Sequence, residues 1–241
     1  CLFIQIILYN IHRIHYSRFD ILIREPKLSA VVEEVEDARL SWNKSHPESA
    51  MGTVDTIISS DTPFGIPSNP RTSPKNPFDV FTTKTTEHDV KLYHIENQKR
   101  KIEYVRLSDI KKNTGAIDSV KVFVTGAGGS GNDPKVMGEP ELAPRHSVCS
   151  QSYLYAAFKT TEEAENFIKY IRTKFFRILV AAMKITQSAP SKVYRFVPLQ
   201  DFSNNSDIDW SKPIKDIDTQ LYKKYGLGED DINYIENRII P

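Results

Sequence analysis

Cysteine is scarce in this chain and long apolar runs are missing from it, and each of these features excludes a class of protein. The 241 residues contain two cysteines, Cys1 and Cys149, so we expect no disulfide framework and a location in the reducing cytoplasm. The longest apolar run, residues 2–9, is interrupted by Gln5 and is too short to cross a bilayer. That run also lacks the cleavage pattern of a signal peptide. We therefore predict a protein without a membrane partner.

Motifs for catalysis, metal binding and cofactor binding are missing as well. The spacings CxxC, HExxH, GxSxG and GxxxxGK[ST] do not occur. Residues 126–131 match GxGxxG after a predicted strand, but no helical pattern follows to place amides at a pyrophosphate. Residues 76–78 lack the second proline of an adenine methyltransferase tetrapeptide, and residues 89–91 and 109–111 lack the Pro-Asp that completes a nuclease motif. The sequence thus predicts no catalytic residue, no metal ligand and no cofactor site in this chain.

Charge is distributed unevenly along a chain whose net charge is only +1. Residues 166–202 hold seven basic residues and one acidic residue, and residues 98–112 hold six basic and two acidic residues. Residues 203–241 hold eight acidic and five basic residues. The neutral total therefore conceals two basic stretches that could offer a phosphate-binding face, although solvated helix and loop faces would give the same pattern.

Apolar periodicity predicts an α+β protein with a curved, mostly antiparallel sheet, a long amphipathic helix and a C-terminal helical pair. At 241 residues, 39 % of them hydrophobic, the chain is long enough for one large domain or two small ones. Short apolar runs predict strands at residues 2–9, 19–23, 78–82, 90–94, 102–106, 120–125, 152–158 and 192–198. Helical spacing of apolar residues predicts helices at residues 27–40, 161–184, 213–225 and 229–240.

The helix predicted at residues 161–184 has the clearest signals. Thr160 and Glu163 form a capping-box signature at its start. Basic residues fall opposite its apolar stripe, so the helix could present them to a nucleic acid, or it could be a packing strut whose basic face is only solvated. Gly226, between the last two predicted helices, suits a left-handed helix stop.

Basic and amide side chains are concentrated around this helix and its neighbouring predicted strands, with tyrosines between them. Arginine and lysine suit phosphates and guanine edges, whereas glutamine suits adenine edges. We predict phosphate contacts from Lys169, Lys174, Arg177 and Lys192. We predict that base edges are read by Gln151, Lys184, Gln187 and Arg195, with Arg145 in the same cluster. The interleaved tyrosines are Tyr153, Tyr155 and Tyr194.

Five segments carry a more specific pattern than the composition does. They are residues 57–66 (IISSDTPFGI), 118–128 (DSVKVFVTGAG), 147–153 (SVCSQSY), 161–202 and 209–239. The segment 161–202 contains YIRTKFFR, KITQ and VYRFVPLQDF. In this order the segments resemble the C-terminal target-recognition (DNA specificity) domain of type II restriction-modification N6-adenine DNA methyltransferases and of fused restriction-modification enzymes. Asp61 and Met183 depart from the family pattern, which has basic residues at both positions.

The resemblance implies that the chain is a DNA-reading fragment of an adenine-specific methyltransferase, with or without restriction activity. It implies that residues 1–50 are a remnant linking to a methyltransferase core, that residues 51–202 are the target-recognition domain and that residues 203–241 are a C-terminal helical pair. The expected partners are double-stranded DNA and a catalytic methyltransferase core or a restriction subunit. S-adenosylmethionine is implied for the parent enzyme, with no cofactor bound by this chain.

Two other interpretations stay open at this point. A restriction endonuclease subunit with an unrecognised metal-dependent active site would cleave plasmid DNA by itself. A subunit-docking module would co-purify with a methyltransferase or helicase subunit and would bind DNA weakly when alone.

Overall fold

The computed structural model describes Ile23 and residues 25–59, 61–73, 77–129 and 132–240. These residues contain five α-helices and two small β-sheets. The predicted α+β class is confirmed. The strands are β1 (His88–Glu96), β2 (Lys99–Arg106), β3 (Val120–Thr125), β4 (Glu141–Ala143), β5 (Ser147–Cys149) and β6 (Tyr153–Phe158). The helices are α1 (Pro26–Ser45), α2 (Thr161–Arg172), α3 (Lys174–Met183), α4 (Ile214–Lys224) and α5 (Glu229–Arg238). The strand predicted at residues 2–9, and all of the one predicted at 19–23 except Ile23, lie outside the described residues.

The first sheet has the strand order β2-β1-β5 and is built on a tight hairpin. β1 and β2 are antiparallel, with Glu96 opposite Lys99. The two turn residues, Asn97 and Gln98, have φ angles of 50° and 63°, which is typical of the type I′ turn whose twist matches that of the strands. β5 lies parallel to β1 on the side away from β2. After β4 the chain therefore returns to this hairpin, where β5 pairs with β1.

The second sheet has the strand order β4-β3-β6 and is antiparallel throughout. β3 has the bounds predicted from the sequence, and β6 lacks only the first predicted residue. The chain turns between β5 and β6, where the Tyr153 amide donates to the Ser150 carbonyl oxygen at 3.1 Å. This turn carries the chain from the first sheet to the second. The strands therefore form two three-stranded sheets, whereas the sequence predicted a single curved sheet.

The long helix predicted at residues 161–184 is two helices, and this part of the prediction is wrong. Thr173 separates α2 from α3 with an extended backbone, at φ −65° and ψ 148°. Its hydroxyl donates to the Tyr170 carbonyl oxygen at 2.6 Å and accepts from the Phe176 amide at 3.0 Å. One side chain therefore satisfies an orphan carbonyl at the end of α2 and an orphan amide at the start of α3.

Local signals at the helix ends are confirmed. The Glu163 amide donates to Thr160 Oγ1 at 3.1 Å, and the Thr160 amide donates to Glu163 Oε2 at 3.2 Å, which is the predicted capping box. Gly226 has a φ of 68°, a conformation that glycine adopts without steric cost. The chain therefore turns between α4 and α5 where the sequence predicts.

Two predicted strands are wrong because turns replace them. The segment predicted at 192–198 begins with a 3-10 helix, Ser191–Tyr194, which follows a proline with a φ of −62°. The segment predicted at 78–82 forms only one bridge, in which the Phe81 and Tyr104 amides and carbonyls pair at 2.8–2.9 Å. Both segments contain the apolar residues that are typical of strands. The prolines beside them have no backbone N–H to donate to a neighbouring strand, and they disfavour regular pairing.

A large core packs the helices against the second sheet, and a smaller core lies between the two sheets. Aromatic rings fill the centre of the larger core. The Tyr170 ring centroid lies 5.1 Å from that of Phe176 and 5.9 Å from those of Phe202 and Trp210. Side chains from α1 and from both C-terminal helices belong to the same core. The division of the chain at residues 50 and 202 stays a prediction.

The free energy of unfolding is expected to fall as the pH rises from about 4 to 7, because of Asp218. Its buried carboxylate accepts from the Lys174 and Phe175 amides at 3.1 and 2.9 Å, and burial raises its pKa from 3.8 to about 7. The folded state therefore holds a proton that the unfolded state releases above its own pKa, and this contribution to stability is lost as the pH rises through 7. Chemical denaturation at a series of pH values measures the slope.

Asp218→Asn should flatten the slope between pH 4 and 7, since asparagine does not titrate. The matched control is Asp216→Asn, an exposed carboxylate on the same helix, which should leave the slope as it is in the wild type. An identical slope in wild type and Asp218→Asn would contradict the prediction.

Candidate nucleic-acid interface

The basic stripe predicted on the long helix is engaged in contacts within the protein. Lys169 Nζ donates to the Trp210 carbonyl oxygen at 2.5 Å. Lys174 Nζ donates to the Glu236 carboxylate at 2.7 Å and to the carbonyl oxygen of the same residue at 2.8 Å. Neither ammonium is free to meet a phosphate unless these bonds are broken, so the stripe is not an open cationic face.

Arg177 is buried, with 1 % of its surface exposed. Its guanidinium donates to the carbonyl oxygens of Ile171, Lys135 and Met137 at 3.3, 2.7 and 3.3 Å. It also donates to Glu139 Oε1 at 3.2 Å. This side chain fastens a crossing segment of the chain onto α3, a buried position that does not favour the predicted phosphate contact.

Lys184, which follows α3, is buried in the same way, with 2 % of its surface exposed. Its ammonium donates to the carbonyl oxygens of Gly128 and Val136, the latter at 2.7 Å, and burial lowers its pKa to about 8. Arg177 and Lys184 are seven residues apart, about two helical turns, so they lie along one side of the helix. Both hold the segment 128–139, and this buried anchoring position does not favour the base-reading role predicted for Lys184.

In the glycine segment, residues 126–129 of the GxGxxG match, Gly129 has no room for a side chain. Gly129 has a φ of 51°, and a Cβ added there would lie 2.8 Å from the Val136 carbonyl oxygen. Ser130 and Gly131 lie outside the described residues. Residues 132–135 then form turns and no helix, so the GxGxxG match has no helix N-terminus for a pyrophosphate.

The loop that follows Lys184, residues 185–188, is pinned to the glycine segment by backbone hydrogen bonds. The Gly128 amide donates to the Gln187 carbonyl oxygen at 3.0 Å, and the Ala189 amide donates to the Gly126 carbonyl oxygen at 2.9 Å. Within the loop, the Ser188 amide donates to Thr186 Oγ1 at 3.3 Å. The 185–188 loop is therefore held at both ends while its side chains point away from the core.

The turn between β5 and β6 lies on the other side of the glycine segment. The Gly126 amide donates to the Ser152 carbonyl oxygen at 2.9 Å, and the Gln151 amide donates to the Ile66 carbonyl oxygen at 2.8 Å. The Gln151 side chain is exposed. The turn thus joins the glycine segment to Ile66, the last residue of the segment 57–66.

Four of the predicted residues keep exposed side chains with no hydrogen-bond partner in the described part of the chain. They are Gln151, Gln187, Lys192 and Arg195. Lys192 belongs to the 3-10 helix that follows the pinned loop, and the Arg195 guanidinium lies 5.1 Å from the centroid of the Phe196 ring. Ile185, which the sequence did not single out, is exposed as well, at 68 % of its surface. We call Gln151, Ile185, Gln187, Lys192 and Arg195 the candidate face.

Arg145 is exposed, but it bridges the residues that precede β3 and follow β6, at one end of the second sheet. Its guanidinium donates to the Asp118 carbonyl oxygen at 2.6 Å and to the Lys159 carbonyl oxygen at 2.8 Å. The next residue, His146, has a φ of 58° and lies between Asp89 and Asp118, at 2.9 and 3.1 Å. This geometry assigns Arg145 an anchoring contact at the end of β6.

The interleaved tyrosines are not presented to a base. Tyr153 and Tyr194 are buried, at 1 % and 0 % exposure. Tyr155 is half-buried and stacks on Phe64, with 5.0 Å between the ring centroids. The Tyr155 amide donates to Ser59 Oγ at 2.9 Å. These rings stabilise the second sheet and the segment beside it.

A concavity beside α2 has a volume of about 540 Å³ and is acidic. Glu162, Glu165, Asp207 and Asp209 line it, and the only basic residue in its lining, Lys169, is bonded to a carbonyl oxygen. Such a surface repels a phosphate backbone. This side of the protein is therefore unsuited to a phosphate backbone.

Two absences concern the part of the chain that the structure describes. Within those residues, no group of three or more histidine, cysteine, aspartate or glutamate side chains is arranged to hold a metal ion. The helices described there are too short or too polar to cross a membrane.

Comparison with known proteins gives little similarity in sequence. No family model matches the chain, and no curated protein matches it. Among solved structures, the type IIG restriction endonuclease BpuSI is similar with a TM-score of 0.39 and 10 % sequence identity. The similarity covers 87 % of this chain and 34 % of that chain, so this chain spans about a third of the length of the enzyme.

Proposed function

We propose that this chain recognises double-stranded DNA for a restriction-modification enzyme and is itself non-catalytic. In this proposal an adenine-specific methyltransferase core, with or without a nuclease, performs the chemistry and binds S-adenosylmethionine. The chain contributes sequence recognition through the candidate face. The DNA contacts and the methyltransferase partner both follow from the family resemblance together with the geometry of that face.

The observation that supports the proposal most is the convergence of four segments that resemble the recognition domain. Residues 57–66 meet residues 147–153 through the bond between the Ile66 carbonyl and the Gln151 amide. Residues 118–128 meet the same turn through Gly126, and they meet residues 184–187 through the Gly128 amide. Segments that are up to about 120 residues apart in the sequence are therefore adjacent, as a shared binding face requires.

The chemistry of the exposed side chains suits duplex DNA. Lys192 and Arg195 carry free positive charge next to the pinned loop, which suits phosphate contacts. Gln151 and Gln187 offer amide groups that can pair with the N6 and N7 atoms of adenine in the major groove. The acidic concavity near α2 lies outside this face, so the charge distribution favours one orientation of the DNA.

Lys192→Gln/Arg195→Gln should lower the salt dependence of DNA binding by about 2 units in the slope of log affinity against log salt, because two phosphate contacts are lost. The measurement is fluorescence anisotropy of the full chain with a randomised duplex pool at a series of salt concentrations. The control is Lys215→Gln/Lys223→Gln, which removes the same charge from exposed positions on α4. The control should keep the wild-type slope.

Equal slopes in both double variants would show that only net charge matters and would contradict the assignment of the face. No binding by the wild type at low salt would contradict the proposed function and would favour subunit docking. Cleavage of plasmid DNA by the wild type in Mg²⁺ would favour the nuclease interpretation instead.

A further inference from the structure

Ile185 is the most exposed of the large hydrophobic side chains in the described residues, at 68 % of its surface. A single exposed aliphatic side chain is ordinary on a protein surface. Its position is what distinguishes it, because it lies between a buried lysine anchor and the exposed amide of Gln187. No neighbouring apolar side chain on the loop extends it into a patch that could dock another protein.

The loop that carries Ile185 is fixed before any ligand arrives. The Lys184 ammonium is bonded to two carbonyl oxygens beneath it, and the carbonyl of Gln187 accepts from the Gly128 amide at 3.0 Å. An isolated bridge joins Ser188 to Ala127. The backbone is therefore held on both sides of Ile185. Ordering this loop on binding costs little conformational entropy, and a low entropic cost favours a specific contact.

We propose that Ile185 and Gln187 read adenine–thymine pairs in the major groove, with Ile185 packing on the thymine 5-methyl group and Gln187 pairing with adenine N6 and N7. This inference rests on the proposed function. An aliphatic side chain has one apolar partner in the major groove, which is that methyl group. Two residues span at most about 7 Å of chain, and stacked bases are about 3.4 Å apart, so the two side chains reach the same or neighbouring base pairs.

The test is a double-mutant cycle between protein and DNA. A duplex is selected from a randomised pool by the wild-type full chain, and each thymine is replaced in turn by uracil, which lacks only the methyl group. At the contacted position the wild type should lose about three- to fivefold in affinity, the effect of one buried methyl group. Ile185→Ala should bind the thymine and uracil duplexes equally well at that position.

Ile240→Ala is the matched control, because Ile240 is also exposed, at 53 % of its surface, and lies 55 residues later in the chain, outside the candidate face. It should keep both the affinity and the preference for thymine. A wild-type protein that binds DNA but prefers thymine over uracil at no position would overturn the inference while the proposed function stands. An Ile185→Ala variant that keeps the full preference would overturn it too, and a wild type that binds no DNA would overturn both.

Discussion

Replacing Arg177 by methionine is expected to lower the free energy of unfolding by about 3 kcal/mol, because several buried acceptors lose their donor at once. The guanidinium donates to three backbone carbonyl oxygens and to the Glu139 carboxylate. Methionine fills a similar volume but offers no hydrogen bond, so the crossing segment would lose its attachment to α3. Urea denaturation followed by circular dichroism gives the change in the free energy of unfolding.

Arg172→Met is the matched control for this prediction. Arg172 forms an ion pair with the same carboxylate, at 3.0 Å, but its side chain is 47 % exposed. An exposed pair of this kind contributes up to about 1 kcal/mol, so the control should cost far less than Arg177→Met. Equal losses in the two variants would show that the burial of Arg177 has no energetic consequence.

Lys184→Met should lower the free energy of unfolding by about 2 kcal/mol, because two carbonyl oxygens beneath the 185–188 loop are left without a donor. Part of that loss is offset, since burial of the ammonium is itself unfavourable and lowers its pKa to about 8. The loop should also exchange its amide hydrogens faster, as its lower anchor is removed. Denaturation and amide exchange measure the two effects separately.

Lys192→Met provides the comparison, since it removes the same charge from an exposed position close in sequence. It should leave stability within about 0.5 kcal/mol of the wild type and should reduce the salt slope of DNA binding by about 1 unit. Lys184→Met should show the reverse pattern, with lower stability and an unchanged slope under conditions where it is folded. If Lys184→Met instead reduced the slope with no loss of stability, its ammonium would belong to the DNA contacts.

Elements that depend on local patterns could be predicted from the sequence. β3 has the predicted bounds, the Thr160–Glu163 capping box is present, and both C-terminal helices begin and end within about two residues of their predicted positions. In each case the signal and the structure that it determines are within a few residues of each other. Neighbouring residues alone therefore specify these elements.

The break between α2 and α3 could not be predicted, because the apolar period continues through it. Thr173 caps both helices, and Asp218 stabilises the new N-terminus by accepting from the Lys174 and Phe175 amides. That carboxylate comes from α4, about 44 residues later in the chain. A partner so distant leaves no trace in the local spacing of apolar residues.

Contacts between distant parts of the chain also explain which site residues could be predicted from the sequence. A basic side chain opposite an apolar stripe is expected in solvent, yet Arg177 and Lys184 are covered by a segment about 40 to 56 residues earlier. Ile185 was missed for the converse reason, since isoleucine is expected in the core and is exposed here. Gln151, Gln187, Lys192 and Arg195 are exposed, and their contacts with DNA stay a prediction.

Hydrogen–deuterium exchange of the full chain, with and without a duplex selected from a randomised pool, tests most directly whether DNA lies on the candidate face. The prediction is slower exchange in residues 150–153 and 184–196 when the duplex is bound, and unchanged exchange in residues 203–212 beside the acidic concavity. Slower exchange confined to residues 203–212, or no change anywhere at saturating duplex, would contradict it.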